Sequence, residues 1–138
     1  MRQFRFLDHT GDLGIEVYGQ DLMELFENAG QALFHVITDP SMVEEKVEKQ
    51  ISLSYDDLGT LMVDWLSELL YLHDVDGLLF GRFHVRSIGD GDFRAKAWGD
   101  FFEEGKHVIR TEVKAVTFHQ LEVKQKQGGW RARVILDL

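Results

Sequence analysis

No cysteine occurs among the 138 residues, which excludes disulfide frameworks, zinc–thiolate sites and cysteine nucleophiles. A reducing cytoplasm is then the simpler compartment. No apolar run approaches the roughly 20 residues needed to cross a bilayer, and Met1-Arg2-Gln3-Phe4-Arg5 is not followed by an apolar signal segment. A soluble, unexported protein with no membrane partner is expected. Positive charge is also scarce, since 15 Lys and Arg face 24 Asp and Glu for a formal net charge of −9. That balance repels a phosphate backbone over long range, so any role in RNA chemistry is expected to run through a protein partner. A Walker A loop, a nucleophile-elbow serine and a His-Glu-x-x-His pair are all missing.

What is present describes one domain, residues 1–138, long enough to bury a core without covalent staples. Phe4 and Phe6, then Ile15 and Val17, alternate with polar residues on either side of a loop, predicting two paired strands. From Asp21 the period becomes helical: Leu22, Leu25, Phe26, Ala29 and Leu33 recur at three- and four-residue spacing. Asp21 with Glu24 makes an Asp-led capping box, and Asp39-Pro40, holding the single proline, marks the stop of a helix over 21–38. A half-exposed strand is expected within 43–54, with Glu44-Glu45-Lys46 irregular. Asp56 or Asp57 caps a second helix, whose Leu58, Leu61, Met62, Trp65, Leu66, Leu69 and Leu70 make a broad apolar face.

Three alternating segments follow, Leu78 to Ile88, Phe93 to Phe101 and Val113 to Lys124, and Gly128-Gly129 turns the chain into a last strand. On that strand Trp130, Ala132, Val134, Leu136 and Leu138 share one face, while Arg131, Arg133, Ile135 and Asp137 share the other. The expected class is therefore α+β: a mostly antiparallel or mixed β-sheet with two amphipathic helices packed on it.

Two motif-like stretches fail. Asp74-Val75-Asp76-Gly77 has the look of a calcium loop, but the positions that should carry its first and last ligands are Leu72 and Phe83. It reads better as a helix C-terminal turn. Gly89-Asp90-Gly91-Asp92 lacks the third glycine and the following helix of a dinucleotide fingerprint, and a hairpin turn explains it.

Three constellations survive. The densest is Leu7-Asp8-His9-Thr10-Gly11-Asp12-Leu13-Gly14-Ile15. Hard divalent cations need several oxygen ligands, often gathered from turns distant in sequence, and Asp8, Asp12 and Asp137 offer them. The plainer alternative is that Asp8 and Asp12 accept backbone N–H bonds in turns. The second is Lys106-His107, and the third runs from Glu112 through Lys114 to Thr117. Strict alternation would put Glu112, Lys114, Val116 and Phe118 on one strand face. These cations either form exposed ion pairs of little energetic weight or sit beside the carboxylates to tune them or meet a partner's acid or phosphate.

Five collinear runs resemble the archease family: Leu-Asp-His-Thr-Gly-Asp-Leu-Gly-Ile at 7–15, Leu-Phe-Glu-Asn-Ala at 25–29, Trp-Leu-Ser-Glu-Leu-Leu-Tyr-Leu at 65–72, Glu-Val-Lys-Ala-Val-Thr-Phe-His at 112–119 and the terminal Val-Ile-Leu-Asp-Leu. Gly11 stands where that family usually has alanine, and Ser67 where asparagine is common.

The resemblance implies a non-enzymatic activator of the GTP-dependent RNA ligase that joins tRNA halves in splicing and repair. It would promote guanylylation of the ligase and repeated turnover, with RNA met only through the ligase. It implies a bound divalent cation, Ca²⁺, Mg²⁺ or Mn²⁺, held by Asp12, Asp137 and the backbone or terminal oxygen of Leu138. Asp8 and His9 would stand in supporting positions, and Lys106 or Lys114 would engage the ligase. Two other classes stay open: a chaperone-like binding module for tRNA-modifying enzymes, and a metal-dependent phosphoesterase acting alone.

Overall fold

The structure, a computed structural model, describes residues 3–9 and 11–138 apart from the side chain of His9. The strands divide into two antiparallel sheets rather than forming one. Strands β1 (Phe4–His9), β2 (Asp12–Gly19), β6 (Ala115–Lys126) and β7 (Gly129–Asp137) form a four-stranded sheet in the order β1-β2-β7-β6. Strands β3 (Val47–Ser54), β4 (Leu78–Gly89) and β5 (Asp92–Phe101) form a three-stranded sheet in the order β3-β5-β4. Two helices complete the α+β fold: α1 (Leu22–Ile37) and α2 (Leu58–Asp76), with a short 3₁₀ turn at Pro40–Met42.

The local signals act as their chemistry requires. The Asp21 carboxylate accepts the Glu24 N–H at 2.8 Å and opens α1, while the Glu24 side chain accepts the Gln20 N–H at 3.1 Å. Asp57 does the same for α2 through the Thr60 N–H at 2.8 Å. That helix ends on Gly77 in the left-handed conformation, φ 72°, so the Asp74–Gly77 stretch is the C-terminal turn the sequence predicts. Between β4 and β5 the two-residue loop Asp90-Gly91 has φ of 53° and 75°, the primed hairpin turn that matches strand twist.

Helix α1 is buried on most of its surface because it packs against β2 of one sheet and β4 of the other. It comes close to the smaller sheet at Gly30, where a Cβ would lie 2.9 Å from the Phe83 ring. Trp65 of α2 is fully buried, meets Phe83 and Phe93 edge-on, and donates its indole N–H to the Phe26 carbonyl at 2.9 Å. One continuous apolar cluster runs through both sheets and both helices.

Two sequence expectations need correction. The third alternating segment begins at Ala115 rather than Val113, leaving Glu112 and Lys114 outside the strand. Alternation then breaks between Thr117 and Glu122, where Gln120 takes φ 52° and the register with β7 shifts. Val116 is consequently buried while Phe118, two residues on, is 60% exposed. Among the described residues, no helix is long and apolar enough to cross a membrane.

Candidate functional site

The four-stranded sheet brings the two halves of the predicted site together. Asp12, the first residue of β2, is the direct cross-strand partner of Asp137, the last residue of β7. Directly opposed residues project to the same side of a sheet. Both carboxylates therefore stand on the outer face, the side away from Ile15, Val17, Val134 and Leu136 of the core. Backbone bonds fix this corner: the Lys114 N–H donates to the Asp137 carbonyl at 2.8 Å, and the Leu138 N–H approaches the Gly11 carbonyl at 3.4 Å. The chain end is thus stitched to the loop that opens β2.

Like charges directly opposed across a strand pair repel. In addition, Asp12 Oδ1 is buried with no hydrogen-bond partner among the described residues. An unsatisfied buried carboxylate oxygen is costly, and a hard cation is one partner that would relieve both costs. Two carboxylates with a backbone oxygen beside them would make an all-oxygen donor set suited to Ca²⁺, Mg²⁺ or Mn²⁺. Among the described residues, no group of three His, Asp or Glu side chains is close enough to hold a metal ion, so within them a third protein donor would have to be a backbone oxygen.

The remaining candidates separate. Asp8 pairs with Leu13, which puts it on the opposite face of the sheet from Asp12, so the three-carboxylate set that composition allows becomes two. The His9 backbone pairs with Asp12, but its imidazole, like Thr10, lies outside the described residues. Lys106 is occupied: its ammonium binds Glu44 and lies 3.4 Å from Asp100 Oδ2. Burial pushes the Asp100 carboxyl up, but hydrogen bonds from Lys106 and the Phe101 N–H, with the Lys46 charge, outweigh it and hold the group below its ordinary range. His107 is buried and accepts the Glu103 N–H on Nδ1 at 2.9 Å, closing its own loop. Lys114 is exposed and makes no ion pair among the described residues.

A cavity of about 300 Å³ lies beside Lys114, lined also by His73, Asp74, Ile109, Glu112 and Val113. Sequence reasoning missed His73, and set Asp74 aside as part of a helix C-terminal turn, because both lie in the last turns of a helix whose signal is its apolar face. Their only local sign is that they are polar residues just before Gly77.

Four residues along β2 the electrostatics reverse. Glu16 is buried on the same outer face as Asp12, but Arg5 Nε donates to it at 2.9 Å, Arg131 lies 3.5 Å away, and the Tyr18 hydroxyl donates to it. The Tyr18 hydrogen bond above all, with the Arg5 hydrogen bond and the charges of Arg5 and Arg131, holds the Glu16 carboxyl below its ordinary range against burial.

Comparison with known proteins agrees with this architecture. Residues 4–138 match the model of the family described as "Archease protein family (MTH1598/TM1083)". The chain is 41% identical to the protein archease of Methanosarcina mazei over 141 aligned positions, covering 99% of this chain and 97% of that protein. It superimposes on the solution structure of Methanobacterium thermoautotrophicum protein 1598 with a TM-score of 0.87, at 45% identity and full coverage of both chains. A crystal structure from Thermotoga maritima, titled an archease and "possible chaperone", shares the fold with a TM-score of 0.67 at 21% identity, over 100% of this chain and 98% of that one. The chain belongs to the archease family.

Proposed function

We propose that this protein is a non-catalytic activator of the GTP-dependent RNA ligase that acts in tRNA splicing and RNA repair, and that it works in the cytoplasm through a divalent cation held at Asp12, Asp137 and the oxygens of Leu138. The observation that carries the reading is the cross-strand pairing of Asp12 with Asp137, which leaves two like charges opposed and a buried Asp12 oxygen without a partner among the described residues. A cation there would supply positive charge for phosphate or carboxylate groups in the ligase site. The chain's own part is positional. Strands β2 and β7 hold the carboxylates at an end of the sheet, and the Lys114 and Leu138 amides keep the terminus in register. The exposed Lys114 is the cation favoured for meeting the ligase, since Lys106 is engaged by Glu44 and Asp100. A net charge of −9 fits a protein that leaves the RNA to its partner.

The test is multiple-turnover ligation by the purified ligase with GTP. Asp12→Asn and Asp137→Asn, each folded as well as the parent, are expected to reduce turnover by about tenfold or more. Unchanged turnover in both variants would sink the reading. A second reading, a chaperone-like module, draws on the Thermotoga structure's title and on exposed apolar side chains here: Phe101 at 51%, Phe102 at 42% and Val108 at 53%. It predicts that a client's aggregation is suppressed equally by the parent and by both Asn variants.

A further inference from the structure

At the other end of β2, a cavity of about 420 Å³ opens where the strand's last residues meet the β6–β7 hairpin. Seven residue steps from Asp12 to Gly19 at about 3.3 Å each put it roughly 20 Å from the carboxylate pair, so it is a separate place on the molecule. Tyr18, Arg131 and Lys126 share the outer face of the sheet there and supply an aromatic wall and positive charge, while Trp130, paired with Gly19, projects to the core face and borders the cavity from that side. Among the described residues no carboxylate lines it, in a chain whose formal net charge is −9.

The walls are set in advance. The Tyr18 hydroxyl is turned back onto Glu16, and the Tyr18 carbonyl accepts the Asn28 side chain at 2.8 Å. Gly128 has φ 79° and nothing within 4 Å of where a Cβ would stand, so the hairpin turns without a side chain across the mouth. Arg131 spends its charge on Glu16 and Glu122. Lys126 makes no ion pair among the described residues and is exposed, which leaves its ammonium available to an incoming anion.

An aromatic-walled cavity with a free ammonium at its rim, in an otherwise acidic molecule, fits a ligand that is planar at one end and anionic at the other. We infer that this cavity binds a nucleoside monophosphate group, its base against Tyr18 and its phosphate on Lys126 of the same sheet face. The volume suits a ligand of that size, and stacking on aromatic side chains tolerates any base. A free nucleotide and the 5′-terminal nucleotide of an RNA strand present the same chemistry.

The test is titration of the ¹⁵N-labelled full chain with AMP, adenosine, orthophosphate and 5′-phosphorylated tetra-adenylate, following the Trp130 indole and the Gly128 and Gly129 amides. AMP is expected to move these signals, with adenosine and orthophosphate each binding about tenfold more weakly. Lys126→Glu is expected to weaken AMP by about fivefold or more, and Lys126→Arg to leave it within about twofold. Tetra-adenylate binding more tightly than AMP would favour the strand end, and equal binding the free nucleotide; either result supports the proposal. Three results would overturn it: no shift at roughly 10 mM AMP, adenosine binding as tightly as AMP, or orthophosphate binding as tightly as AMP, which would mark an adventitious ion only. No ligase enters this experiment, so its outcome is independent of the activator reading.

Discussion

Asp12 and Glu16 stand on one strand and one face, and the fold treats them in opposite ways. Glu16 is enclosed by Arg5, Tyr18 and Arg131, with Arg133 opposite it on β7. Asp12 meets another carboxylate opposite it and keeps a buried oxygen without a donor among the described residues. Register alone would have allowed a cation opposite each. A neutralised carboxylate in mid-sheet serves stability, while an uncompensated pair at the sheet's end is tolerated where something outside the chain can complete it.

The largest effect should come from breaking the compensated side. Glu16→Ala removes the acceptor of Arg5 and Tyr18 and the ion-pair partner of Arg131 at a buried position, and is expected to cost about 3 kcal/mol in a denaturant titration. A loss near zero would show that the network is surface decoration. Next is the uncompensated side: excess Ca²⁺ or Mn²⁺ at a hundred times its dissociation constant should stabilise the parent by about 2.7 kcal/mol in thermal unfolding, with Asp12→Asn and Asp137→Asn each abolishing the gain.

The pH dependence separates the two carboxylates further. Because the folded Glu16 carboxyl titrates below the ordinary value of 4.5, its contribution is complete above that value and disappears as pH falls through the folded one. Glu16→Gln should therefore flatten the acid limb of the stability profile, leaving the share owed to Asp100, also held low by Lys106. A profile of unchanged steepness would show that Glu16 is not part of the acid transition. The smallest effect is expected for Asp12→Asn without metal: relief of cross-strand repulsion, a gain of about 0.5 kcal/mol by the same denaturant titration. A clear loss there would mean that Asp12 has a structural partner of the kind Glu16 has.

Much of the fold was legible because it is written locally. Asp21, Asp57 and Gly77 cap their helices as their positions predict, and Asp90-Gly91 turns its hairpin. Alternation along the last strand was enough to put Asp137 on the face away from Val134. What could not be read was set at long range. The division into two sheets depends on pairings between distant segments. The irregularity at Gln120 carries no proline or glycine to announce it, so counting alternate residues from Glu112 to Phe118 misplaced that face. Lys106 is captured by Glu44, 62 positions away, a partner that no local pattern reveals. Chemistry alone allows Asp8, Asp12 and Asp137 as one oxygen set and does not select Asp12 with Asp137, because nothing within either short run indicates which strand it faces.

Asp12 and Asp137 are proposed to hold one cation between them. The most direct measurement is calorimetric titration of Mn²⁺ into the parent, Asp12→Asn and Asp137→Asn, with circular dichroism confirming that all three are folded. A single saturable site is expected in the parent, weakened about tenfold or more by either substitution. Equal affinity in all three proteins would contradict it.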